Sequence, residues 1–254
     1  VEHGVADEGE EAVSRPEAFR PGIVHRLDKG TTGVLLIARK YEAHRKLVEQ
    51  FSSRSIEKIY LAICSADPGR YRNSTRRSSY QGADFTQALP RLALDTIIDE
   101  PIGRHPIVRT RMAVLPSDEM ESRGGRPALS IFRTLRTIGS DGRGLTLVLV
   151  RLHTGRTHQI RVHAKHCGAG LLGDDLYGNP DINKRTKTIA TRPMLHALKM
   201  VVDHPSEKRP VVIQAPVPED MVNVIQKMIW PEFSEAGLAK ALELFSAESQ
   251  RVPT

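Results

Sequence analysis

One carboxylate, Asp28, stands among cations in the segment from His25 to Gly33. Arg26 and Lys29 flank it, and the glycines and threonines that follow predict a flexible turn. Nearby cations favour the ionised form of a carboxylate, and an ionised, positioned carboxylate can act as a nucleophile or a base. A surface aspartate that caps a turn or pairs with Lys29 is the alternative interpretation.

A second cluster of chemical interest spans residues 151–163 and contains three arginines and three histidines. If residues 156–164 form a helix capped by Thr154, the side chains of His158 and Arg161 lie about one turn apart. One helix face could then contact both a phosphate and a carboxylate. A solvated cationic face is the alternative for this segment alone.

Metal binding is a poorer interpretation of the same histidines. His158 and His163 lack the i, i+4 spacing of helical ligand pairs, and no nearby carboxylate completes a set. His163, His166 and Cys167 could bind zinc only with a distant fourth ligand. We therefore expect no metal site.

The charge of the chain favours a polyanionic partner. Its 254 residues carry a formal net charge of +7, and aromatic residues make up only 5%. This composition fits a polyanionic partner bound by charge better than a single-stranded nucleic acid bound by stacking on aromatic side chains. Charge that only keeps the protein in solution is the alternative. A hydrophobic content of 39% is enough for one large domain or two small ones.

Cysteine usage and hydropathy indicate the cellular setting. Cys64 and Cys167 match neither a disulfide framework nor a metal-binding pair, which predicts a reducing, intracellular compartment. The longest apolar run, residues 145–150, is far shorter than the about 20 residues that span a bilayer, so we expect a soluble protein with no membrane partner. Residues 1–20 form an acidic leader that we expect to be disordered. It is unlike a transit peptide, and in a fragment that begins at Val1 a targeting signal could be missing.

Hydrophobic spacing and turn residues predict the elements that position both clusters. Strands interspersed with helices, without regular βαβ alternation, favour an α+β fold with a mixed or antiparallel sheet. Helices are predicted at residues 41–54, 219–229 and 235–245. Strands are predicted at residues 22–27, 34–38, 59–63, 128–135, 145–151 and 211–215.

Taken together, the two clusters resemble the motifs of the RluA-type RNA pseudouridine synthases. The stretch VHRLDKGTTGVLLIAR, residues 24–39, is similar to that family's nucleophile motif. HTGRTHQIRVHAKHCGAGLLGDDLYG, residues 153–178, is similar to its downstream motif, and residues 57–60 resemble its Lys-x-Tyr strand. The resemblance covers roughly residues 20–225. It implies the pseudouridine synthase fold, a long, mixed, mostly antiparallel sheet with flanking helices and a central catalytic cleft.

By this resemblance, the chain isomerises specific uridines in structured ribosomal or transfer RNA to pseudouridine, without a cofactor. Asp28 would act on the ribose of the target uridine, through a covalent bond to C1′ or through an elimination that forms a glycal. Arg26 would fill the space that the flipped base leaves in the RNA stack, and Tyr60 would pack beneath that base. Arg161 would pair with Asp28 and orient it, whereas the nearby Asp174 would be structural.

Cations near the motifs and in the arginine-rich segment 68–91 are expected to contact RNA. This segment is typical of a basic surface loop, for which a tolerated insertion without function is the alternative. The expected RNA contacts are His25, Arg26, Lys29, Arg70, Arg72, Arg76, Arg77, Arg156 and His158.

We expect a monomer in which residues 21–230 form the catalytic domain, with 68–91 as a loop insertion, and residues 231–254 form a C-terminal helix and tail. A non-catalytic RNA-binding protein with the same fold is the main alternative. A metal-dependent nuclease or phosphatase would need clustered carboxylates, which only Asp174 and Asp175 approach.

Overall fold

The computed structural model describes residues 22–71, 95–139, 144–207 and 209–247. The acidic leader lies outside these residues, and so does most of the arginine-rich segment, including Arg72, Arg76 and Arg77. No helix within the described ranges has both the length and the apolar character needed to cross a membrane.

The strands, in chain order, are β1 (Thr32–Gly33), β2 (Glu57–Cys64), β3 (Thr96–Asp99), β4 (Ile102–Arg104), β5 (Met112–Val114), β6 (Leu129–Thr137), β7 (Thr146–Leu152), β8 (Leu195–Asp203) and β9 (Pro210–Gln214). In the part of the chain that the structure describes, seven of them form one sheet in the order β1, β8, β2, β7, β6, β3, with β9 beside β8. β4 and β5 pair with each other. β1 runs parallel to β8, and the other pairings are antiparallel. The predicted α+β fold with a mostly antiparallel sheet is confirmed.

The described helices are α1 (Tyr41–Ser53), α2 (Gln159–His166), α3 (Pro180–Thr186), α4 (Glu219–Met228) and α5 (Glu235–Ala247). Predicted helical spacing is borne out in α1, where Leu47 is buried and Phe51, four residues later, packs against a cluster that includes Met200 and Val202 of β8. This helix ends because Arg54 adopts a left-handed conformation, with φ of 62°, and donates its N–H to the Gln50 carbonyl.

Side-chain alternation along β2 divides the core between the two faces of the sheet. Ile59 and Ile63 point to the face that α4 and α5 cover. Ala62 and the partly buried Tyr60 point to the opposite face, where α2 packs. Every residue of β7 is buried, which explains why its sequence is a nearly continuous apolar run. The α2 face is the one that holds both sequence motifs.

The C-terminal helix α5 belongs to the same core as the sheet. Leu238, Leu242 and Phe245 are buried in one cluster with residues of β2, β7 and α4. The Phe245 ring also contacts two guanidinium groups, 4.6 Å from that of Arg133 and 4.2 Å from that of Arg151. Helix α5 therefore completes the face of the sheet opposite the motifs.

The strands predicted at residues 22–27 and 34–38 were wrong. A single bridge between Ile23 and Ile37 joins these segments, and β1 lies in the expected turn. Gly33, with φ of 114°, brings the chain so close to β8 that a Cβ atom would lie 2.2 Å from a carbonyl oxygen of that strand. A two-residue strand that depends on backbone proximity leaves no hydrophobic alternation for the sequence to show.

Replacing Phe245 with Ala should lower the free energy of unfolding by about 3–5 kcal/mol, because it removes a fully buried ring and both guanidinium contacts. Leu244→Ala is the matched control, since Leu244 lies on the same helix but is 42% exposed. Its effect should stay within about 0.5 kcal/mol. Urea unfolding of both variants measures the difference. Equal stabilities would mean that α5 is not docked as described.

Candidate active site

The two sequence clusters meet at a cleft on the α2 face of the sheet. Arg26, Asp28 and Thr31 line it from the loop before β1, Tyr60 lines it from β2, and Arg156 lines it from the segment before α2. The cleft has a volume of about 130 Å³. The structure therefore brings together residues that lie more than a hundred positions apart in sequence.

The loop that carries Asp28 is held tightly against β8. Thr31 donates its N–H to the Asp28 carbonyl at 3.0 Å, which closes the turn. The hydroxyl of Thr32 donates to Nδ1 of His196 at 2.9 Å, while Nε2 of that buried ring donates to the Ala215 carbonyl at 3.3 Å. Asp28 itself is largely shielded, with 18% of its side chain exposed.

A second tether to this loop comes from Arg192, just before β8. Its Nε and Nη2 donate to both carboxylate oxygens of Asp220 at 2.7 and 2.8 Å, and these hydrogen bonds lower the pKa of Asp220. Its Nη1 donates to the Gly30 carbonyl at 3.2 Å and to the Leu195 carbonyl at 3.3 Å. An ion pair with α4 therefore fixes a peptide group two residues from Asp28.

Arg161, buried on α2, contacts two carboxylates unequally. Its Nε and Nη2 donate to Asp174 at 2.7 and 2.8 Å, whereas its Nη1 lies 3.8 Å from Oδ2 of Asp28. Burial lowers the pKa of Arg161, but the hydrogen bonds and charge of Asp174 outweigh burial and raise it. The expected approach to Asp28 is present as an ion pair, but the bidentate partner is Asp174.

Asp174 and Tyr177 together fix the position of the Arg161 guanidinium. The Asp174 side chain is completely buried and also accepts the N–H groups of Leu176 and Tyr177, at 3.0 and 3.1 Å. The Tyr177 ring lies 5.0 Å from the Arg161 guanidinium, and its hydroxyl accepts the N–H of Met112 at 2.9 Å. This turn was expected to be structural, and it is also what aims Arg161 at Asp28.

Tyr60 places a desolvated phenol in the cleft. Burial, reinforced by the negative charge of Asp28, raises the pKa of Tyr60 to about 12. The phenol therefore stays protonated at neutral pH and can donate a hydrogen bond within the cleft.

Helix α2 begins at Gln159, and the predicted cap at Thr154 was wrong. The Thr154 hydroxyl donates to Oε1 of Gln159 at 2.8 Å and accepts the N–H of Leu129 at 2.9 Å. His158 adopts a left-handed conformation, with φ of 57°, that a helix does not include. Its Nδ1 shares a 2.9 Å hydrogen bond with the Tyr177 hydroxyl. His158 thus faces the Arg161 site, from the turn before the helix.

The cations predicted to contact RNA occupy different surroundings. Arg26 and Lys29 are exposed beside the cleft loop, and Arg70 is exposed in the turn after β2. Arg156 is partly buried and donates its Nε to the Pro127 carbonyl at 3.0 Å. Their contacts with RNA stay predictions.

His25 points into the fold. Its Nε2 accepts the N–H of Leu36 at 2.8 Å, and its ring stacks on Phe51 at 4.8 Å between centroids. Burial, reinforced by the charge of Lys58, lowers the pKa of His25 to about 4, so the ring is neutral at pH 7. His25 therefore fastens the chain after the loop to α1, and its predicted contact with RNA stays a prediction.

Within the described ranges, no three His, Cys, Asp or Glu side chains converge as a group that could hold a metal ion. The histidines of the zinc alternative are engaged in hydrogen bonds. His163 bonds the Ser130 hydroxyl at 2.9 Å and the Glu100 carbonyl at 3.1 Å. Nε2 of His166 bonds the Tyr71 hydroxyl at 2.8 Å.

Comparison with protein families gives this arrangement a context. A family model described as RNA pseudouridylate synthase matches residues 6–166, which is more than half of the chain. The chain belongs to the RNA pseudouridylate synthase family.

Curated relatives of the RNA pseudouridylate synthase family match most of this chain. A protein of Chloroflexus aurantiacus, described as an uncharacterized RNA pseudouridine synthase, is 38% identical over 83% of this chain and 54% of its own length. The ribosomal large subunit pseudouridine synthase D of Nitrosomonas europaea is 36% identical over 82% of this chain and 51% of its own. RNA pseudouridine synthase 2, chloroplastic, of Arabidopsis thaliana is 36% identical over 82% of this chain and 46% of its own. The chain thus spans about half the length of these relatives.

Two solved human structures share the fold. Human RNA Pseudouridylate Synthase Domain Containing 1 superposes with a TM-score of 0.57 at 25% identity, over 77% of this chain and 68% of its own. Human RNA Pseudouridylate Synthase Domain Containing 4 gives the same TM-score at 20% identity, over 81% and 75%. The expected pseudouridine synthase fold is confirmed.

Sequence reasoning missed the pairings of three residues that hold this site. Asp174 was expected to be structural but was not linked to Arg161, and no role was given to Arg192 or Asp220. Their partners lie 13 and 28 residues away along the chain, so no local spacing joins them. One signal was available for Asp174. It is an acidic residue that follows closely after a cationic helix, and the cations of a helix that becomes buried need an anion as partner.

Asp174→Asn should lower the free energy of unfolding by about 3 kcal/mol, because it leaves the buried Arg161 guanidinium without its bidentate anion. The matched control is Asp175→Asn, which neutralises the exposed neighbouring carboxylate. That control should unfold within about 0.5 kcal/mol of the parent. Denaturant titrations measure both, and an Asp174→Asn variant as stable as the control would show that the pair is not needed for the fold.

Proposed function

We propose that this protein isomerises uridine to pseudouridine in structured RNA, with Asp28 as the reacting carboxylate. The observation that carries the proposal is the shielded Asp28 carboxylate in the cleft, 3.8 Å from a guanidinium that Asp174 already holds. Membership of the RNA pseudouridylate synthase family supports it. Several relatives are described as ribosomal large subunit pseudouridine synthases, which favours ribosomal RNA as the substrate class, and transfer RNA is the alternative.

The reaction can begin at either of two ribose atoms. In the covalent route, an Asp28 oxygen bonds to C1′ while the N1–C1′ bond breaks and its electron pair goes to the uracil. In the elimination route, Asp28 removes the C2′ proton as the uracil leaves, which forms a glycal. In the covalent route, C5 of the rotated base then bonds to C1′ as the bond between C1′ and the Asp28 oxygen breaks, which regenerates the carboxylate. In the elimination route, Asp28 returns its proton to C2′ of the glycal while C5 bonds to C1′. In both, the C5 proton is then lost and N1 is protonated. Atoms and electrons balance without an oxidant, a metal or a cofactor.

The surrounding charges support both routes. Asp28 must be an anion at the start, and the nearby Arg161 stabilises that negative charge. Because Nε and Nη2 of Arg161 are bound by Asp174, its Nη1 stays aimed at Asp28 while the carboxylate changes its bonding. The protonated Tyr60 can pack against the base or donate to it without adding a second negative charge.

The size and place of the cleft require that the target nucleotide leaves its stack. Asp28 sits in the cleft rather than on a protruding surface, so a base within a helix could not reach it. The exposed Arg26 stands at the rim, where its side chain could fill the gap that the nucleotide leaves. We further expect a monomer in a reducing compartment, where the free thiols of Cys64 and Cys167 would persist.

Asp28→Asn and Asp28→Ala should abolish pseudouridine formation and leave RNA affinity nearly unchanged, because affinity comes mainly from phosphate contacts. Pseudouridine mapping of ribosomal and transfer RNA incubated with each protein measures turnover, and filter binding measures affinity. Asp118→Asn, which changes an exposed carboxylate, is the control and should match the parent.

Measurable turnover by Asp28→Ala would overturn the role of Asp28. A parent protein that binds these RNAs and modifies none would point to the non-catalytic alternative.

Arg192→Lys should lower kcat about tenfold or more while RNA affinity holds, because a lysine cannot bind Asp220 with two nitrogens and the Gly30 carbonyl with a third. Arg185→Lys, an exposed change on α3, is the control. Single-turnover rates and binding constants separate the two effects. If affinity and rate fell together, Arg192 would hold the fold as a whole rather than orient the Asp28 loop.

A further inference from the structure

Lys58 is a partly buried cation on the cleft side of the sheet. It lies two residues before Tyr60 on β2, and alternation places both side chains on the same face. Burial, reinforced by the positive charge of Arg54, lowers the pKa of Lys58. The buried positive charge of Lys58 therefore destabilises the protein when no RNA is bound.

No carboxylate neutralises Lys58 among the residues that the structure describes. Its Nζ takes part in no hydrogen bond or ion pair there. The adjacent Glu57 points to the other face, where it lies 3.9 Å from Nε of Arg151. The charge of Arg54 helps to lower the pKa of Lys58, and Lys58 in turn helps to lower the pKa values of His25 and His153.

The cleft wall beside Lys58 is open and positively charged. A Cβ atom built on Gly155, a residue that lines the cleft, would lie 3.8 Å from Lys58 Nζ and would meet nothing else. Arg156, the residue after Gly155, also lines the cleft and adds a second cation to this wall. Nε2 of His153 is buried and has no hydrogen-bond partner in the described residues. The site offers donors and positive charge, and it lacks an anion.

We infer that Lys58, together with Arg156, binds a backbone phosphate of the RNA beside the target uridine. This inference rests on the proposed function. Lys58 and Tyr60 are separated by roughly 7 Å along the strand, a distance that suits the phosphate of a neighbouring nucleotide while the base lies on Tyr60. An ammonium and a guanidinium group match the charge and the several acceptor oxygens of a phosphate.

The alternative is that an acidic residue of this protein, rather than an RNA phosphate, pairs with Lys58. The two cases predict opposite effects on the free protein. If Lys58 is without an anion until RNA binds, its replacement by an apolar residue removes a desolvated charge and should leave the melting temperature unchanged or raise it. If an internal carboxylate pairs with it, the same change breaks an ion pair and lowers the melting temperature.

The test compares Lys58→Met and Lys58→Arg with the control Lys227→Met, which removes an exposed lysine from α4 on the opposite face. The probe is a fluorescein-labelled RNA stem-loop with uridines in its loop, titrated at several salt concentrations against the full chain. Lys58→Met should bind about tenfold more weakly, and its plot of log affinity against log salt should be less steep by about 0.7 to 0.9. Lys58→Arg and Lys227→Met should bind like the parent.

Melting temperatures and pseudouridine mapping complete the experiment. Weaker, less salt-dependent binding by Lys58→Met, with an unchanged or raised melting temperature, is the expected result. Coinciding binding curves for Lys58→Met and the parent would overturn the inference. The inference would also be overturned if Lys58→Met had a lowered melting temperature and Lys58→Arg bound RNA as weakly as Lys58→Met. A parent that binds the stem-loop through Lys58 but forms no pseudouridine in any RNA would contradict the proposed function and leave the phosphate site supported.

Discussion

Arg161 carries one positive charge between two carboxylates, and much of the cleft is arranged to keep it there. Asp174 holds two of its nitrogens at hydrogen-bond distance, which leaves the third directed at Asp28. Because a buried cation without an anion is unstable, α2, the turn at Asp174 and the ring of Tyr177 must form together. The fold and the proposed chemistry therefore share one electrostatic requirement.

The loop that carries Asp28 has almost no secondary structure of its own, and its rigidity comes from neighbours. Asp220 fixes Arg192, and Arg192 fixes the Gly30 carbonyl. His196 accepts a hydrogen bond from the Thr32 hydroxyl and donates one to a backbone carbonyl, which fixes its ring. A carboxylate on an irregular segment thus gains the positional accuracy of a residue on a strand, which suits a reaction in which one oxygen must reach one carbon.

Sequence reasoning succeeded where structure is local. Helices α1, α4 and α5 and the buried strands β2 and β7 follow from the spacing of apolar residues, and the two motifs were brought together as expected. It failed where a distant partner decides the local conformation. Thr154 bonds β6 instead of capping a helix, β1 depends on backbone proximity, and the hold of Asp174 on Arg161 has no local signal. The arginines of the loop insertion lie mostly outside the described residues, so their expected role stays a prediction.

The close approach of Gly33 to β8 has a consequence for motif searches that assign protein sequences to families. No side chain fits at this position, so the glycine is demanded by architecture whether or not the protein turns over a substrate. A copy that had lost its carboxylate through drift would retain the surrounding glycines and threonines and would still score well in a motif search. A survey of genomes that counts such matches therefore counts the scaffold, and the residue at position 28 has to be read separately before the proposed activity is assigned.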